Sequence, residues 1–248
     1  MKRLYIYIIS KLLALKRRLY IIIYNVYNPY PKIPKKMFFS PSYIIKDNAN
    51  LTYNKLNYSV NKMPHYQWKK KAKKKFIDLL SLNKNLYFKE VSRCNMPIKK
   101  GYTRIRIYAE FSKHRHAPID IITNDKFTVF KGIIICMQGT NSGAHLSLGE
   151  IKMPADIYKV TNGSAIALQA ADEGFIAISY ERIGFGERQE RKLQKSNSSP
   201  TIDFSFHSLI LNNTSLGETV SEISLLVKWL KNNYKNHSVW LKGYSAAG

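Results

Sequence analysis

The chain has 248 residues, with 45% hydrophobic residues, 12 Gly, 9 Pro and 2 Cys, and carries 40 Lys and Arg against 16 Asp and Glu. This composition excludes a collagen-like repeat, a disulfide scaffold and wholesale disorder, because apolar content is near the globular average and only two thiols exist to pair. The net charge of +24 is uneven: 18 of the basic residues and a single acid fall in residues 1–76. Such a field draws a chain toward anionic lipid, polyanionic glycan or nucleic acid and says nothing about fold. Bias toward Lys, Asn, Ile and Tyr throughout the sequence is the competing explanation.

Residues 4–27, LYIYIISKLLALKRRLYIIIYNVY, have the apolar content of a membrane span, but Lys11, Lys16, Arg17 and Arg18 fall at its centre. Each costs about 2.5–3.5 kcal/mol on an insertion scale, so a spanning helix is not expected. A cleaved export signal is not expected either, since the apolar stretch before Lys11 is short and no small-residue cleavage site follows. The pattern suits a segment lying in a membrane interface, docking on a partner or packing on its own C-terminal domain. Residues 28–64 are rich in Pro, Asn, Ser and Tyr without sustained periodicity and read as a connector or wrapping arm. Residues 1–63 therefore read as a basic, aromatic-rich extension and 64–248 as the folded domain.

The run WKKKAKKKFIDLLSL (Trp68–Leu82) places Trp68, Ala72, Phe76, Leu79 and Leu80 at helical spacing, with six lysines on the other faces. Those lysines could meet phosphates, but no recognised nucleic-acid module surrounds them, so no specific nucleic-acid contact is expected. An anionic membrane surface is the partner that residues 1–76 would suit. Compartment stays open between cytoplasmic and peripherally membrane-associated, and oligomeric state is not legible.

From Gly101 the pattern becomes regular. TRIRIYAEF (Thr103–Phe111) and APIDIIT (Ala117–Thr123) alternate as half-buried strands do and predict an antiparallel pair. GIIICM (Gly132–Met137) is a continuous β-branched run, the mark of a strand buried on both faces of a parallel sheet, with Cys136 as a small core residue. SAIALQAADEG (Ser164–Gly174) predicts a helix with a glycine stop, and FIAISY (Phe175–Tyr180) a second buried strand ending in ERIGFGER. A longer helix is expected over about Ser215–Tyr234, and VWL (Val239–Leu241) as a third buried strand. Alternation of this kind predicts an α/β fold built from βαβ units.

The last strand runs into Gly243-Tyr244-Ser245-Ala246-Ala247-Gly248, with the spacing G-x-S-x-A/G. Small residues are needed there because a serine on a sharp strand-to-helix turn must project its Oγ clear of the sheet, where it can act as a nucleophile. The competing reading is a glycine-rich structural or phosphate-binding turn. Acyl transfer also needs backbone N–H groups aimed at the developing oxyanion, one from the residue after the serine and one from the loop after an earlier strand. Ala246 and the turn Gln138-Gly139-Thr140-Asn141 are placed to supply them. His145, in the same region, reads as structural because it precedes the serine. His65, His114, His116, His207 and His237 read as surface residues. No Walker or dinucleotide fingerprint and no metal-ligand spacing appears, so no cofactor or metal is implied.

GIIICMQGTNSGAHLSLGE, then ERIGFGER, then GYSAAG, resemble the α/β-hydrolases related to acetyl xylan esterase and dienelactone hydrolase, over about residues 64–248. The resemblance implies the N-terminal part of an α/β-hydrolase fold, with Ser245 on the nucleophile and the Thr140 amide, with that of Ala246, in the oxyanion hole. Gln138 stands where the group usually has His, and Ala247 where it usually has Gly. It implies hydrolysis of a small-molecule or glycan carboxylic ester. The acid and His of the triad follow the serine in this fold, whereas only Ala246, Ala247 and Gly248 follow Ser245 here. The chain is expected to be the front portion of a serine hydrolase, inactive by itself. The alternative is a noncatalytic basic adaptor, binding membrane or polyanionic glycan, with a degenerate hydrolase domain.

Overall fold

The computed structural model describes residues 62–139, 143–189 and 200–245, with scattered positions before residue 62. The chain forms two compact units, Met1–Leu79 and Leu80–Gly248. In the first, the lysine-rich run forms α1 (His65–Leu80), with Tyr58 and Trp68 in ring contact at 5.2 Å between centroids. Residues 4–7, 20–40 and 45–57, including most of the aromatic extension, lie outside the described residues. Among the described residues no helix is long and apolar enough to cross a membrane.

The second unit is a six-stranded sheet. Its strands are β1 (Lys89–Asn95), β2 (Tyr102–Ser112), β3 (Arg115–Asn124), β4 (Ile133–Met137), β5 (Ile176–Tyr180) and β6 (Val239–Gly243). The spatial order is β1-β2-β3-β5-β4-β6. β2 and β3 form the expected antiparallel pair, and β3 runs antiparallel to β5, whereas β5, β4 and β6 are mutually parallel. The helices are α2 (Pro154–Thr161), α3 (Ile166–Asp172), α4 (Pro200–Ile210) and α5 (Ser215–Asn233).

Strict alternation along the central strands sends successive side chains to opposite faces. Ile133 and Ile135 of β4 and Ile176 and Ile178 of β5 pack with Ile223, Leu226 and Leu230 of α5 on one face. Cys136 and Ala177 pack with Ile166, Ala167, Ala170 and Ala171 of α3 on the other. Helices on both faces explain why these two strands are continuously apolar in sequence. The chain leaves β4 toward β5 on one side and returns to β6 on the other. β4 therefore lies at the switch point, where open α/β sheets bind ligands beyond the strands' carboxyl ends.

Three features depart from the expectations. β6 is not buried: Trp240 is 47% and Leu241 56% exposed, because among the described residues no strand or helix covers its outer side. β1 was not expected, since KEVSRCN is mostly exposed and lacks the alternation that marks a half-buried strand. α2 and α4 are likewise additional elements.

Much of the charge buried in this unit sits in networks. Asp120 on β3 accepts from both Arg104 and Arg106 at 2.8 Å. Burial alone would raise its pKa, but the two guanidiniums outweigh it and hold the carboxyl below the usual range. Glu222 of α5, fully buried, accepts from Arg115 at 2.6 Å, from Arg188 at 2.7 and 2.8 Å and from the Tyr180 hydroxyl. It thereby ties α5 to the start of β3, the end of β5 and the loop after β5. Burial pushes Glu222 up, and Arg188 with Arg115 pulls it below its ordinary value.

Replacing Glu222 by Gln leaves Arg188 buried without a carboxylate, so it should destabilise the domain by about 3–5 kcal/mol. Because the folded pKa is depressed, the stabilisation is full at neutral pH and is lost only as pH falls below the ordinary carboxylate value through the folded one. Urea unfolding at pH 7 checks this; a loss under about 1 kcal/mol would contradict the network's role.

Candidate active site

The parallel register aligns Met137 of β4 with Gly243 of β6. One more backbone bond, from the Tyr244 N–H to the Met137 carbonyl at 3.1 Å, ends the ladder. The next residue, Ser245, is exposed and has φ of +57°. A left-handed backbone costs a non-glycine residue roughly 1–2 kcal/mol and so marks a turn imposed by its surroundings. Ser245 thus follows the carboxyl end of the edge strand β6 in a left-handed backbone conformation. Ala246 and Thr140, expected to provide the oxyanion amides, lie outside the described residues.

The loop after β4 is held from several directions. The Gln138 side chain is buried and donates to the Ser147 Oγ at 2.9 Å and the Ser164 carbonyl at 2.7 Å. It therefore serves as an internal clamp between this loop and the start of the α3 segment. His145 is also buried, with Nε2 at 2.9 Å from Asp156 Oδ2. That carboxylate oxygen further accepts the amides of Lys152 and Met153 at 3.1 and 2.9 Å, capping α2. The pair fastens the loop to α2.

Two residues at the centre of this edge carried no assigned role in the sequence reading. Glu181 follows β5, is 3% exposed, and accepts the Ala144 N–H with both carboxyl oxygens at 3.0 Å and the Glu187 N–H at 3.3 Å. Close backbone approach makes this possible: a Cβ at Gly186, where φ is +47°, would lie 2.0 Å from Glu181 Oε2, and one at Gly143 would lie 2.8 Å from it. Both positions need glycine. Burial raises the Glu181 pKa to about 7, against a smaller opposing pull from the amide hydrogen bonds. Arg182 donates to the Gly139 carbonyl at 2.7 Å, in the loop that resemblance assigns to the oxyanion hole. The available signal was a charged pair placed directly after a continuous buried strand.

A cavity of about 660 Å³ opens on the same edge, since β3 runs antiparallel to β5 and its first residues lie beside β5's last. His114, His116, His207 and Phe204 line it together with Arg115 and Arg188. His114, His116 and His207 are exposed, and the fold brings all three to one cavity. Among the described residues no cluster of three or more His, Cys, Asp or Glu is arranged to hold a metal ion.

No family model matches the sequence and no curated protein matches it. Solved structures do. The fold is similar to that of a Bacteroides fragilis protein assigned as an acetyl xylan esterase, with a TM-score of 0.64 at 16% identity over 87% of this chain and 57% of that one. Acetyl Xylan Esterase 1 from Thermoanaerobacterium sp. JW/SL YS485 matches with a TM-score of 0.40 at 14% identity, over 72% of this chain and 50% of that one. Methylesterase BT1017 matches at 0.41 and 15%, over 82% and 40%. The chain therefore spans a little over half the length of the first of these, and the likeness establishes an α/β-hydrolase fold.

Glu181 gives a pH test of this edge. Its folded pKa lies above the ordinary value of 4.5, so the stability it contributes is full below pH 4.5 and is lost as pH rises through about 7. The difference is at most about 3 kcal/mol. Thermal unfolding of Glu181→Gln should show a flatter pH dependence between pH 5 and 8 than the parent chain. Parallel profiles for the two proteins would contradict it.

Proposed function

We propose that the protein is the nucleophile-bearing part of a serine hydrolase acting on carboxylic esters, of the acetyl-esterase or dienelactone-hydrolase type. The observation that carries this reading is Ser245 itself: an exposed hydroxyl on a left-handed turn at the end of β6, in an α/β-hydrolase fold. In this reading Ser245 Oγ attacks the ester carbonyl. The amides of Thr140 and Ala246 stabilise the oxyanion, the alcohol leaves, and water releases the acyl group from the serine. The likeness to the Bacteroides fragilis protein assigned as an acetyl xylan esterase supports a small-molecule or glycan ester as substrate.

A serine hydroxyl is a poor nucleophile without a base. In this fold the acid and the histidine follow the serine in chain order, and neither residue type occurs among Ala246, Ala247 and Gly248. The proposed reaction therefore requires an acid and a histidine placed beside Ser245. The buried His145–Asp156 pair is committed to α2 and is not proposed as the base.

The test is covalent. A fluorophosphonate probe applied to a chain carrying the downstream acid and histidine should label Ser245, and Ser245→Ala should abolish both labelling and release of acetate from an aryl acetate. Labelling at another serine, or unchanged turnover in the Ala variant, would overturn the assignment.

The basic N-terminal region has a separate proposed role at an anionic membrane surface. α1 supports it by exposing Phe76 (57%) and Leu79 (60%) beside its lysines. Sedimentation with phosphatidylserine vesicles should capture the protein at low salt and release it at high salt. Capture that is insensitive to salt and to lipid charge would contradict that role.

A further inference from the structure

The edge strands β1 and β6 are built differently. β1 carries Lys89, Glu90 and Arg93, and its pairing with β2 shifts register between Glu90 and Ser92. Charges and a bulge of this kind keep a sheet edge from pairing with another chain. β6 has no such bulge. Its register with β4 is unbroken over Val239–Gly243, and its centre offers Trp240 and Leu241, about half exposed, beside a single charge, Lys242. An exposed apolar edge without these devices is a template for a further strand.

The ladder to β4 shows which backbone groups that strand would use. The Ser238 carbonyl accepts the Ile133 N–H, and the Tyr244 N–H donates to the Met137 carbonyl. Strand geometry repeats every second residue, so the even-numbered positions from 238 to 244 bond to β4, and Val239, Leu241 and Gly243 turn their amides and carbonyls outward. Those positions are symmetric about Leu241. A second β6 laid antiparallel, with Leu241 on the two-fold axis, sets Val239 opposite Gly243 and pairs the outward groups of the whole strand with themselves. The same register matches the side chains. Trp240 and Lys242 align with Ile134 and Cys136 of β4 and share the face covered by α3. Across the new pair Trp240 stands opposite Lys242 of the partner subunit, at a non-hydrogen-bonded position where side chains approach closely. An indole facing an ammonium is a favourable cation–π pair. Leu241 meets its own counterpart on the other face. Centring the pair on Lys242 would oppose like charges, and centring it on Trp240 would leave Gly243 unpaired.

We propose that β6 is an interface between two copies of this chain, joined edge to edge in the antiparallel register centred on Leu241. The occupant follows from self-complementarity. The strand carries its own outward amides and carbonyls, its own cation and its own indole at mutually matching positions, as an isologous two-fold contact requires. Pairing merges the two sheets into one and covers the exposed sides of Trp240 and Leu241. One strand pair with its adjoining side chains buries less than the roughly 1,200 Å² of a standard interface, so the association is weak and reversible. The interface uses neither the Ser245 hydroxyl nor either proposed oxyanion amide, and it stands or falls independently of the hydrolase reading.

Sedimentation equilibrium of the 248-residue chain at pH 7 should show a monomer–dimer equilibrium with a dissociation constant on the order of 10–100 μM. Leu241→Pro removes an outward amide that the ladder to β4 does not use, and should weaken dimerisation by about tenfold or more. Trp240→Lys and Trp240→Glu lose the same indole but set a like or an opposite charge against Lys242 of the partner subunit. The Lys variant should therefore dimerise about tenfold more weakly than the Glu variant. That comparison decides the matter if Leu241→Pro unfolds in a thermal melt. Hydrogen exchange identifies what covers the edge: the Leu241 amide should exchange slowly at high protein concentration and fast at low. A monomer at every concentration, or equal dimerisation of the Lys and Glu variants, would overturn the proposal. So would slow Leu241 exchange in the monomer, which would assign the cover to the chain's own residues.

Discussion

A single backbone bond, from the Tyr244 amide to the Met137 carbonyl, fixes the geometry on which the site depends. It is the last rung between β6 and β4, and it arrests the strand so that the following residue must turn. Ser245 takes up that turn at a φ that a β-carbon disfavours. The cost is local, whereas the restraint is distributed through the parallel ladder from Val239 to Gly243 and the doubly covered core beneath β4. A strained residue persists only where its surroundings over-determine it, and here they place a hydroxyl at the carboxyl edge of the sheet.

Around that edge the protein organises charge and backbone. Glu181 gathers the amides of Ala144 and Glu187, the His145–Asp156 pair fastens the same loop to α2, and Arg182 holds the Gly139 carbonyl. Glu222 anchors α5 behind them. These contacts converge on the two loops that follow β4 and β5. Rigid support of this kind is what the acyl-transfer chemistry proposed above would ask of the loops that carry its oxyanion donors.

How much of this was legible in the sequence depended on burial. GIIICM and FIAISY announce their strands because both faces are covered, and the stripe through Val220, Ile223, Val227 and Leu230 announces α5. KEVSRCN hid β1 because exposed side chains leave no periodicity to read. VWL looked like a third interior strand, yet exposure of Trp240 and Leu241 shows that its composition anticipates a cover absent from the described residues. At the site, Ser245 was readable from small residues at fixed offsets after a strand. Glu181 and Arg182 were not, because a charged pair in a turn looks solvated, and Glu181 is closed in by Gly143, from the loop after β4, and by Gly186 of its own turn.

Direct determination of the backbone at Ser245 bears most immediately on the account. A crystal structure of the chain should show this residue at positive φ, its Oγ open to solvent, with the Tyr244 amide bonded to the Met137 carbonyl. A Ser245 in ordinary helical or extended backbone, or with its hydroxyl packed into the core, would contradict the account at its foundation.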